Sequence, residues 1–304
     1  MTGHYWSRRD IVRAMMALGI TTTLSYAESE KMLTRPIPAS SRTIPVIGLG
    51  TYEVFDIDGS GDELELRRQI VELLAENGGR LIDSSPMYDR SEKIVGQIVE
   101  AGSNRDDLFL ATKVWIDGKS AGESQMRRSA GLMKAGTIDL MQVHNLRDID
   151  VHMKTIRAWQ EDGHIRYNGI THYTARAHRS LVRAMQDHKP QFIQINYSLG
   201  EREAEEHVLP LAQDLGIAVL INRPFMAGRV FPAVRDQALP GWATAFAASW
   251  GQFFLKFIVG HPAVTCVIPA TSKPHHMIDN LGAGFGTMPD AATRRKMAAF
   301  WDSL

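Results

Sequence analysis

Three ionisable residues stand at the ends of apolar stretches of the sequence: Asp83, Lys113 and His144, with Tyr88 in the segment after Asp83. A carboxylate, an ammonium group and an imidazole are costly to bury unless they pair with one another or with a ligand. A purely structural alternative is a salt bridge between Asp83 and Lys113 that closes the fold, with His144 as a hydrogen-bonded core histidine. Because three such groups occur in succession beside a tyrosine, we expect a reactive site.

The stretches that precede these residues are predicted strands. From residue 44 onward, short apolar runs alternate with segments whose apolar residues recur three and four positions apart, the pattern of successive βαβ units. The predicted strands cover residues 44–49, 80–83, 108–114, 138–143, 165–171, 192–195, 218–221 and 265–268. Eight repeats in about 230 residues predict an α/β fold, a single-domain (β/α)8 TIM barrel, whose reactive groups lie at the C-terminal ends of its strands.

An open, doubly wound sheet is the competing α/β architecture. Its dinucleotide-binding loop carries three glycines directly before a helix. The run Gly48-Leu49-Gly50-Thr51-Tyr52 lacks the third glycine, and no helical pattern follows it directly. The sequence therefore favours the closed barrel.

The composition narrows the range of partners. The chain has 304 residues, 44% of them hydrophobic, and its 34 Lys and Arg residues equal its 34 Asp and Glu residues. This balance gives no net positive field to attract nucleic acid, so we expect a small-molecule partner and a monomeric protein. The one cysteine, Cys266, excludes an intrachain disulfide and suits either a reducing compartment or export after folding.

The N-terminal segment resembles a bacterial twin-arginine export signal. Arg8 and Arg9 precede apolar residues, residues 14–24 form an uncharged and weakly apolar stretch, and small residues up to Ala27 suit a signal peptidase. The stretch is shorter than the ~20 apolar residues of a membrane-spanning helix, so we expect no stable membrane insertion. We predict a signal peptide at residues 1–27, a linker at 28–43, the barrel at 44–304 and a periplasmic location. The alternative is an ordinary amphipathic helix on a cytoplasmic protein.

The order of the short motifs resembles the aldo-keto reductase family. The matching runs are residues 47–52, 81–88, 111–115, 142–144, 194–197 and 267–274, so that the resemblance covers about residues 43–282. It implies an oxidoreductase that uses NAD(P)H to reduce an aldehyde or ketone, with Tyr88 as the proton donor. Lys113 would supply the positive charge that a phenol of pKa ~10 needs, Asp83 would orient Lys113, and His144 would position the substrate carbonyl.

The same resemblance implies a nicotinamide coenzyme site. The carboxamide would be hydrogen-bonded by small polar side chains after the fifth strand and by a glutamine on the sixth, namely Thr171, His172 and Gln194. In place of the stacking tyrosine of the family, the chain has Asn222-Arg223-Pro224-Phe225. Either Asn222 lies under the ring without stacking, or Phe225 takes over part of that contact. The resemblance also assigns three further residues to the coenzyme site, namely Gly50, Thr51 and Asp83.

The adenosine phosphate would lie against residues 269–280, because the loop after the eighth strand of such barrels commonly binds phosphate together with a helix N-terminus. Ala270 and His276 stand where NADPH-preferring relatives often carry Lys and Arg. Lys273, and more weakly a protonated His276, would replace those cations, so that NADP is favoured and NAD is possible. The other expected contacts are Thr271, Ser272, Asp279 and Asn280.

Tyr52 and Trp115 are the expected substrate contacts at the mouth of the barrel. Two other functions compete with the reductase. A nicotinamide-binding sensor or auxiliary subunit on the same barrel would not need all four of the reactive residues. Metal-assisted hydrolysis needs converging ligands, and the strand ends offer only Asp83, His144 and His172 with Lys113 as a competing cation. We therefore expect no metal.

Overall fold

A (β/α)8 barrel forms the part of the chain that the computed structural model describes, residues 31–102 and 105–304. Its eight strands are all parallel and pair in chain order. They are β3 (Leu49–Gly50), β4 (Leu81–Asp83), β5 (Phe109–Val114), β6 (Ile138–His144), β7 (Ile165–Thr171), β8 (Phe192–Asn196), β9 (Ala218–Asn222) and β10 (Cys266–Val267). Parallel bridges from Ile47 to Val267 and from Gly50 to Ala270 join the first and last strands, so the sheet closes on itself.

Helices fill the connections between the barrel strands, and two more follow the last strand. Those in the described residues are Gly61–Glu76, Ser91–Ala101, Lys119–Leu132, Ile149–Glu161, His178–His188, Val208–Asp214, Trp250–Val259, Pro274–Gly282 and Ala291–Asp302. Ser249 and Asp290 cap two of them, because their side chains accept the backbone N–H of Gln252 and Thr293. Among the described residues, no helix is long and apolar enough to cross a bilayer.

Two apolar clusters stabilise the barrel. The larger one lies between the strands and the surrounding helices, and the helix Gly61–Glu76 contributes Ile70 and Leu74 to it. The smaller one includes residues near the beginnings of the strands, such as Leu81, Phe109 and Phe192. Cys266 belongs to this smaller cluster, and burial raises the pKa of its thiol. The thiol is therefore a packing group and not a nucleophile.

The first predicted strand is wrong in its extent. Residues 44–49 were expected to form one strand, but β2 (Thr43–Pro45) pairs antiparallel with β1 (Thr34–Pro36), and the barrel strand is Leu49–Gly50. Pro45 cannot donate a backbone hydrogen bond to a sheet neighbour, and the Ile44 side chain is buried in the smaller cluster. Much of the predicted linker 28–43 is thus a hairpin whose apolar residues pack against the N-terminal ends of the strands.

The other seven predicted strands are confirmed, and no end is displaced by more than one residue. The strands β6, β8 and β9 extend to His144, Asn196 and Asn222, while the last strand shortens to Cys266–Val267. These extensions matter because they place polar side chains on the final residues of strands. The predicted signal peptide, residues 1–27, lies outside the residues that the structure describes.

Candidate active site

Asp83 and Lys113 form a buried ion pair at the ends of β4 and β5. Lys113 Nζ donates to Asp83 Oδ2 over 2.7 Å and to the backbone carbonyl of Ser84 over 2.6 Å. The Lys113 side chain is fully buried and Asp83 is nearly so. Burial lowers the pKa of Lys113, but Asp83 and Tyr88 outweigh it, so the net shift is upward and the ammonium stays charged.

The second oxygen of Asp83 is held by two amides from across the barrel. Gln142 Nε2, on β6, donates to Asp83 Oδ1 over 3.1 Å, and Gln194 Nε2, on β8, donates over 2.8 Å. Sequence reasoning missed Gln142 as a site residue. It assigned Gln194 to the coenzyme carboxamide, but the Gln194 amide donor already serves Asp83. The two amides fix the direction of the Asp83 carboxyl group.

Tyr88 lies in the loop after β4, where its ring meets the ammonium group. Lys113 Nζ is 4.9 Å from the centroid of the Tyr88 ring, and the ring packs edge-on against Tyr52 at 5.0 Å. Burial raises the pKa of Tyr88, and Lys113 opposes that shift only in part. The phenol therefore holds its proton at neutral pH, and the expected positive charge of Lys113 offsets part of the effect of burial on its pKa.

His144 is the last residue of β6 and completes the cluster. Its ring lies 5.9 Å from the Tyr88 ring and 6.4 Å from the Trp115 ring, and its Nδ1 is 3.0 Å from Ser85 Oγ. Burial, with the charge of Lys113, lowers the pKa of His144 to about 2. The imidazole is therefore neutral and can act only as a hydrogen-bonding group with one proton. Sequence reasoning did not identify Ser85.

Polar groups from β7, β8 and β9 surround the predicted nicotinamide position. Thr171 Oγ1 donates to Gln194 Oε1 over 3.3 Å, and Asn222 Nδ2 donates to the His172 carbonyl over 3.2 Å. The Asn222 Oδ1 atom is buried without a hydrogen-bond partner among the described residues. Burial lowers the pKa of His172, and its Nδ1 accepts the N–H of the next residue over 2.9 Å.

The segment after β9 lacks the stacking tyrosine of the family, and its own side chains make other contacts. Arg223 adopts a left-handed backbone conformation (φ 51°), and its Nε is buried without a partner among the described residues. Pro224 is buried. The Phe225 ring packs against Phe231 at 5.1 Å. Asn222 and Arg223 therefore offer free polar atoms, while Phe225 is engaged with its own loop.

The predicted phosphate segment follows β10 and begins the helix Pro274–Gly282. Thr271 Oγ1 accepts the backbone N–H of Lys273 over 3.1 Å, and the Lys273 side chain is exposed. Burial, His275 and Lys273 lower the pKa of His276, which disfavours it as the second cation expected here. Ala270 is exposed, Ser272 is half-buried and Asn280 is buried.

Asp279 has a structural role in this region. Ser249 Oγ donates to its Oδ2 over 2.7 Å, and Gln252 Nε2 donates to its Oδ1 over 3.0 Å. The carboxylate thereby ties the helix Pro274–Gly282 to the first turn of the preceding helix. If Asp279 also binds the coenzyme as predicted, its carboxylate oxygens must accept hydrogen bonds from the coenzyme in addition to those from Ser249 and Gln252.

Gly50 brings the first strand close to the last one. A Cβ atom at Gly50 would lie 2.8 Å from the Ile268 carbonyl oxygen, so no larger residue fits without a shift. The next residue, Thr51, is buried and donates from Oγ1 to the Asp83 carbonyl over 3.0 Å. This close approach joins the side of the mouth that carries Asp83 to the predicted phosphate segment.

Two aromatic residues predicted to contact substrate lie at the mouth. Tyr52 is 52% exposed and touches the Tyr88 ring. Trp115 is half-buried between His144 and Arg147, whose guanidinium carbon is 5.0 Å from its ring centroid. Both rings therefore border the cluster, as expected. No group of three or more His, Cys, Asp or Glu side chains in the described residues could hold a metal ion.

This barrel and site define an oxidoreductase of the (β/α)8 class, and comparison with known proteins names the family. Residues 46–295 match the model of the Aldo/keto reductase family, so the chain belongs to that family. The uncharacterized oxidoreductase YqkF of Bacillus subtilis is 27% identical over 292 residues, which cover 83% of this chain and 91% of the relative.

A second relative agrees with this assignment, and a solved structure agrees with the fold. Glyoxal reductase of Bacillus subtilis is 26% identical over 242 residues, 78% of this chain and 82% of the relative. An aldo/keto reductase from Klebsiella pneumoniae, solved in complex with NADP and acetate, superposes with a TM-score of 0.74 at 22% identity, covering 86% of this chain and 93% of that one. The structural likeness shows the same barrel.

Proposed function

We propose that this protein reduces an aldehyde or ketone to an alcohol with NADPH, and that Tyr88 donates the proton. One observation carries the proposal: the buried Lys113 ammonium lies between the Asp83 carboxylate, at 2.7 Å, and the Tyr88 ring, at 4.9 Å. A buried cation beside a phenol has a chemical use, because it stabilises the phenolate that remains when the proton leaves.

The roles of the four residues follow from their protonation states. Because burial raises the pKa of Tyr88, the phenol is protonated before the reaction. As negative charge develops on the carbonyl oxygen, Tyr88 transfers that proton and Lys113 stabilises the resulting phenolate. Asp83 holds the ammonium in place, and the neutral His144 offers a hydrogen bond to the carbonyl oxygen.

The residues around the mouth fit a nicotinamide coenzyme, which would supply the hydride. Asn222 Oδ1 and Arg223 Nε are buried polar atoms without partners among the described residues, and such atoms are costly unless a ligand satisfies them. Gly50 permits the close approach of the first strand to the Ile268 carbonyl, next to the predicted phosphate segment. With Thr51, Thr171 and His172 these residues would hold the nicotinamide half, and Ala270, Thr271, Ser272, Lys273 and Asn280 the phosphate half.

The comparisons support the coenzyme and the substrate class. The Klebsiella pneumoniae structure contains NADP, and curated relatives include a glyoxal reductase and methylglyoxal reductases. We therefore assign a small reactive carbonyl compound as the substrate and NADP as the coenzyme, with NAD as an alternative.

Substitution of Tyr88 by Phe tests the proposal directly, because it removes one oxygen and keeps the ring. Reduction of methylglyoxal by NADPH, followed by coenzyme absorbance, should fall by ~100-fold or more, the usual effect of losing a positioned acid. Coenzyme binding, measured by tryptophan fluorescence, should change little. Tyr167→Phe is the matched control, since Tyr167 is a buried tyrosine bonded to Ser40, and it should keep full activity.

Two outcomes would contradict this assignment. If Tyr88→Phe retains most of a substantial wild-type activity, the proton donor is another group. If wild type binds the coenzyme tightly but shows negligible turnover with any carbonyl, the protein is a nicotinamide-binding sensor or auxiliary subunit instead.

We further propose that the protein is exported by the twin-arginine route, is cleaved after Ala27 and acts in the periplasm as a monomer. The support is the Arg8-Arg9 pair and the uncharged stretch that follows it. Because this route carries folded proteins, a coenzyme bound in the cytoplasm could travel inside the barrel.

A further inference from the structure

The imidazole of His144 is hydrogen-bonded by a serine that is not one of the four reactive residues. Ser85 Oγ lies 3.0 Å from His144 Nδ1, and the two residues are 0% and 5% exposed. In a neutral imidazole one ring nitrogen carries the proton and the other accepts, and the neighbouring hydrogen bond decides which is which. Ser85 is therefore in a position to set the tautomer of His144.

The direction of this hydrogen bond follows from the second contact of the Ser85 hydroxyl. The backbone N–H of Met87 donates to Ser85 Oγ over 3.3 Å. A hydroxyl group has one proton to donate, and His144 Nδ1 is the one possible acceptor within hydrogen-bond distance of it among the described residues, so a proton on Nδ1 would leave the buried hydroxyl without an acceptor there. The hydroxyl therefore donates to Nδ1, so Nδ1 is the nitrogen without a proton.

The other ring nitrogen must then carry the proton. His144 is neutral because burial and the charge of Lys113 lower its pKa to about 2. A neutral ring with a bare Nδ1 has its proton on Nε2. This N–H makes no hydrogen bond to the described part of the chain, so it is available to a ligand at the mouth.

We propose that Ser85 is a positioning residue that selects the Nε2–H tautomer of His144, so that the imidazole donates to the substrate oxygen beside Tyr88. This inference rests on the proposed carbonyl reduction. In the opposite tautomer Nε2 would turn a lone pair toward an oxygen that gains negative charge, which repels instead of stabilising it.

Kinetics test the role of the hydroxyl. Ser85→Ala should lower kcat about tenfold, the scale of one neutral hydrogen bond, and leave the coenzyme Kd unchanged, while Ser85→Thr should restore most of the rate. Ser198→Ala is the matched control, because the buried Ser198 hydroxyl accepts the Glu201 N–H over 3.0 Å in a turn. It should leave kcat unchanged. A Ser85→Ala variant as fast as wild type would overturn the proposal.

Nitrogen NMR of histidine-labelled protein tests the tautomer itself. The chain has 11 histidines, and the His144 signals are those missing from the spectrum of His144→Asn. Wild type should show a protonated Nε2 and a bare, hydrogen-bonded Nδ1, and Ser85→Ala should lose that preference. A protonated Nδ1 in wild type overturns the inference whatever the activity. If wild type reduces no carbonyl, the proposed function fails while this spectrum still decides the role of Ser85.

Discussion

At the scale of single residues, the reactive carboxylate is also part of the barrel core. Asp83 on β4 is bonded to Gln142 on β6 and to Gln194 on β8, which are alternate strands of the barrel. In barrels of this class the interior is filled by layers of side chains from alternate strands. The reactive group is therefore as firmly positioned as a core residue, and this suits a site that must keep an ammonium in one place.

The depressed pKa of His144 predicts a specific dependence of stability on pH. The unfolded chain binds a proton on this histidine below pH ~6.5, whereas the folded protein keeps it neutral because its pKa is about 2. Stability is therefore lost as the pH falls below the unfolded value. Between pH 7.5 and 5.5 wild type should lose about 1.4 kcal/mol of unfolding free energy from His144 alone.

The His144→Asn variant isolates this contribution, because the other histidines titrate in both proteins. Denaturant unfolding at the two pH values should show that the stability of wild type relative to the variant drops by about 1.4 kcal/mol on acidification. A difference that stays constant between the two pH values would mean that His144 is accessible to protons in the folded state.

The residue-scale predictions from sequence were right where position along a strand decides the outcome. Asp83, Lys113 and His144 could be placed together because each ends an apolar run. The bonds from Gln142 and Ser85 could not be predicted, because each joins residues 59 positions apart. Which side chains meet across a barrel depends on its register and closure, and the sequence pattern contains neither.

At the scale of elements, the hairpin β1–β2 shows a limit of the apolar pattern, and the segment after β10 shows a prediction that holds. An apolar run of residues 44–49 was read as one strand, but Pro45 divides it into a hairpin arm and a barrel strand. The helix Pro274–Gly282 was correctly expected after the last strand. The apolar pattern thus predicts which strands and helices exist, but it does not predict which sheet a short strand joins.

The hairpin should contribute to the stability of the barrel through Ile44. This side chain is 1% exposed in the smaller apolar cluster, so Ile44→Ala should lower the free energy of unfolding by about 2–5 kcal/mol. Thr43→Ala, at the neighbouring exposed position of β2, should change it by less than about 0.5 kcal/mol. Denaturation midpoints measure both. Equal, small effects would mean that the hairpin only covers the barrel and does not support it.

The segment before the helix Pro274–Gly282 should control coenzyme choice through Lys273. If this exposed cation binds the phosphate that distinguishes NADPH from NADH, Lys273→Ala should weaken NADPH binding by about 1.5–3 kcal/mol and leave NADH binding nearly unchanged. Fluorescence titration of both coenzymes is the measurement, and His275→Ala, at an exposed position on the same helix, is the control. Equal losses for both coenzymes would show that Lys273 only begins the helix.

At the scale of the whole molecule, location is a separate question from chemistry. The reductase proposal depends on residues 46–295, which match the family, whereas the export proposal depends on residues 1–27. Arg8→Lys combined with Arg9→Lys should leave the protein in the cytoplasm, because the export receptor reads paired guanidinium groups and not charge alone. Arg13→Lys is the control and should be exported normally. Equal periplasmic amounts of the double variant and wild type after fractionation would exclude this route.

The ion pair of Asp83 and Lys113 also limits how this protein can change over generations. Replacing one member alone leaves an unpaired charge in the barrel, a loss of about 3–5 kcal/mol, while replacing both by apolar residues of similar volume is often neutral or stabilising. Single substitutions at these positions are thus removed by selection for folding even where activity is dispensable. A lineage that no longer needs the reaction would keep the ion pair until substitutions of both residues arise together. The pair would therefore persist after the activity is lost.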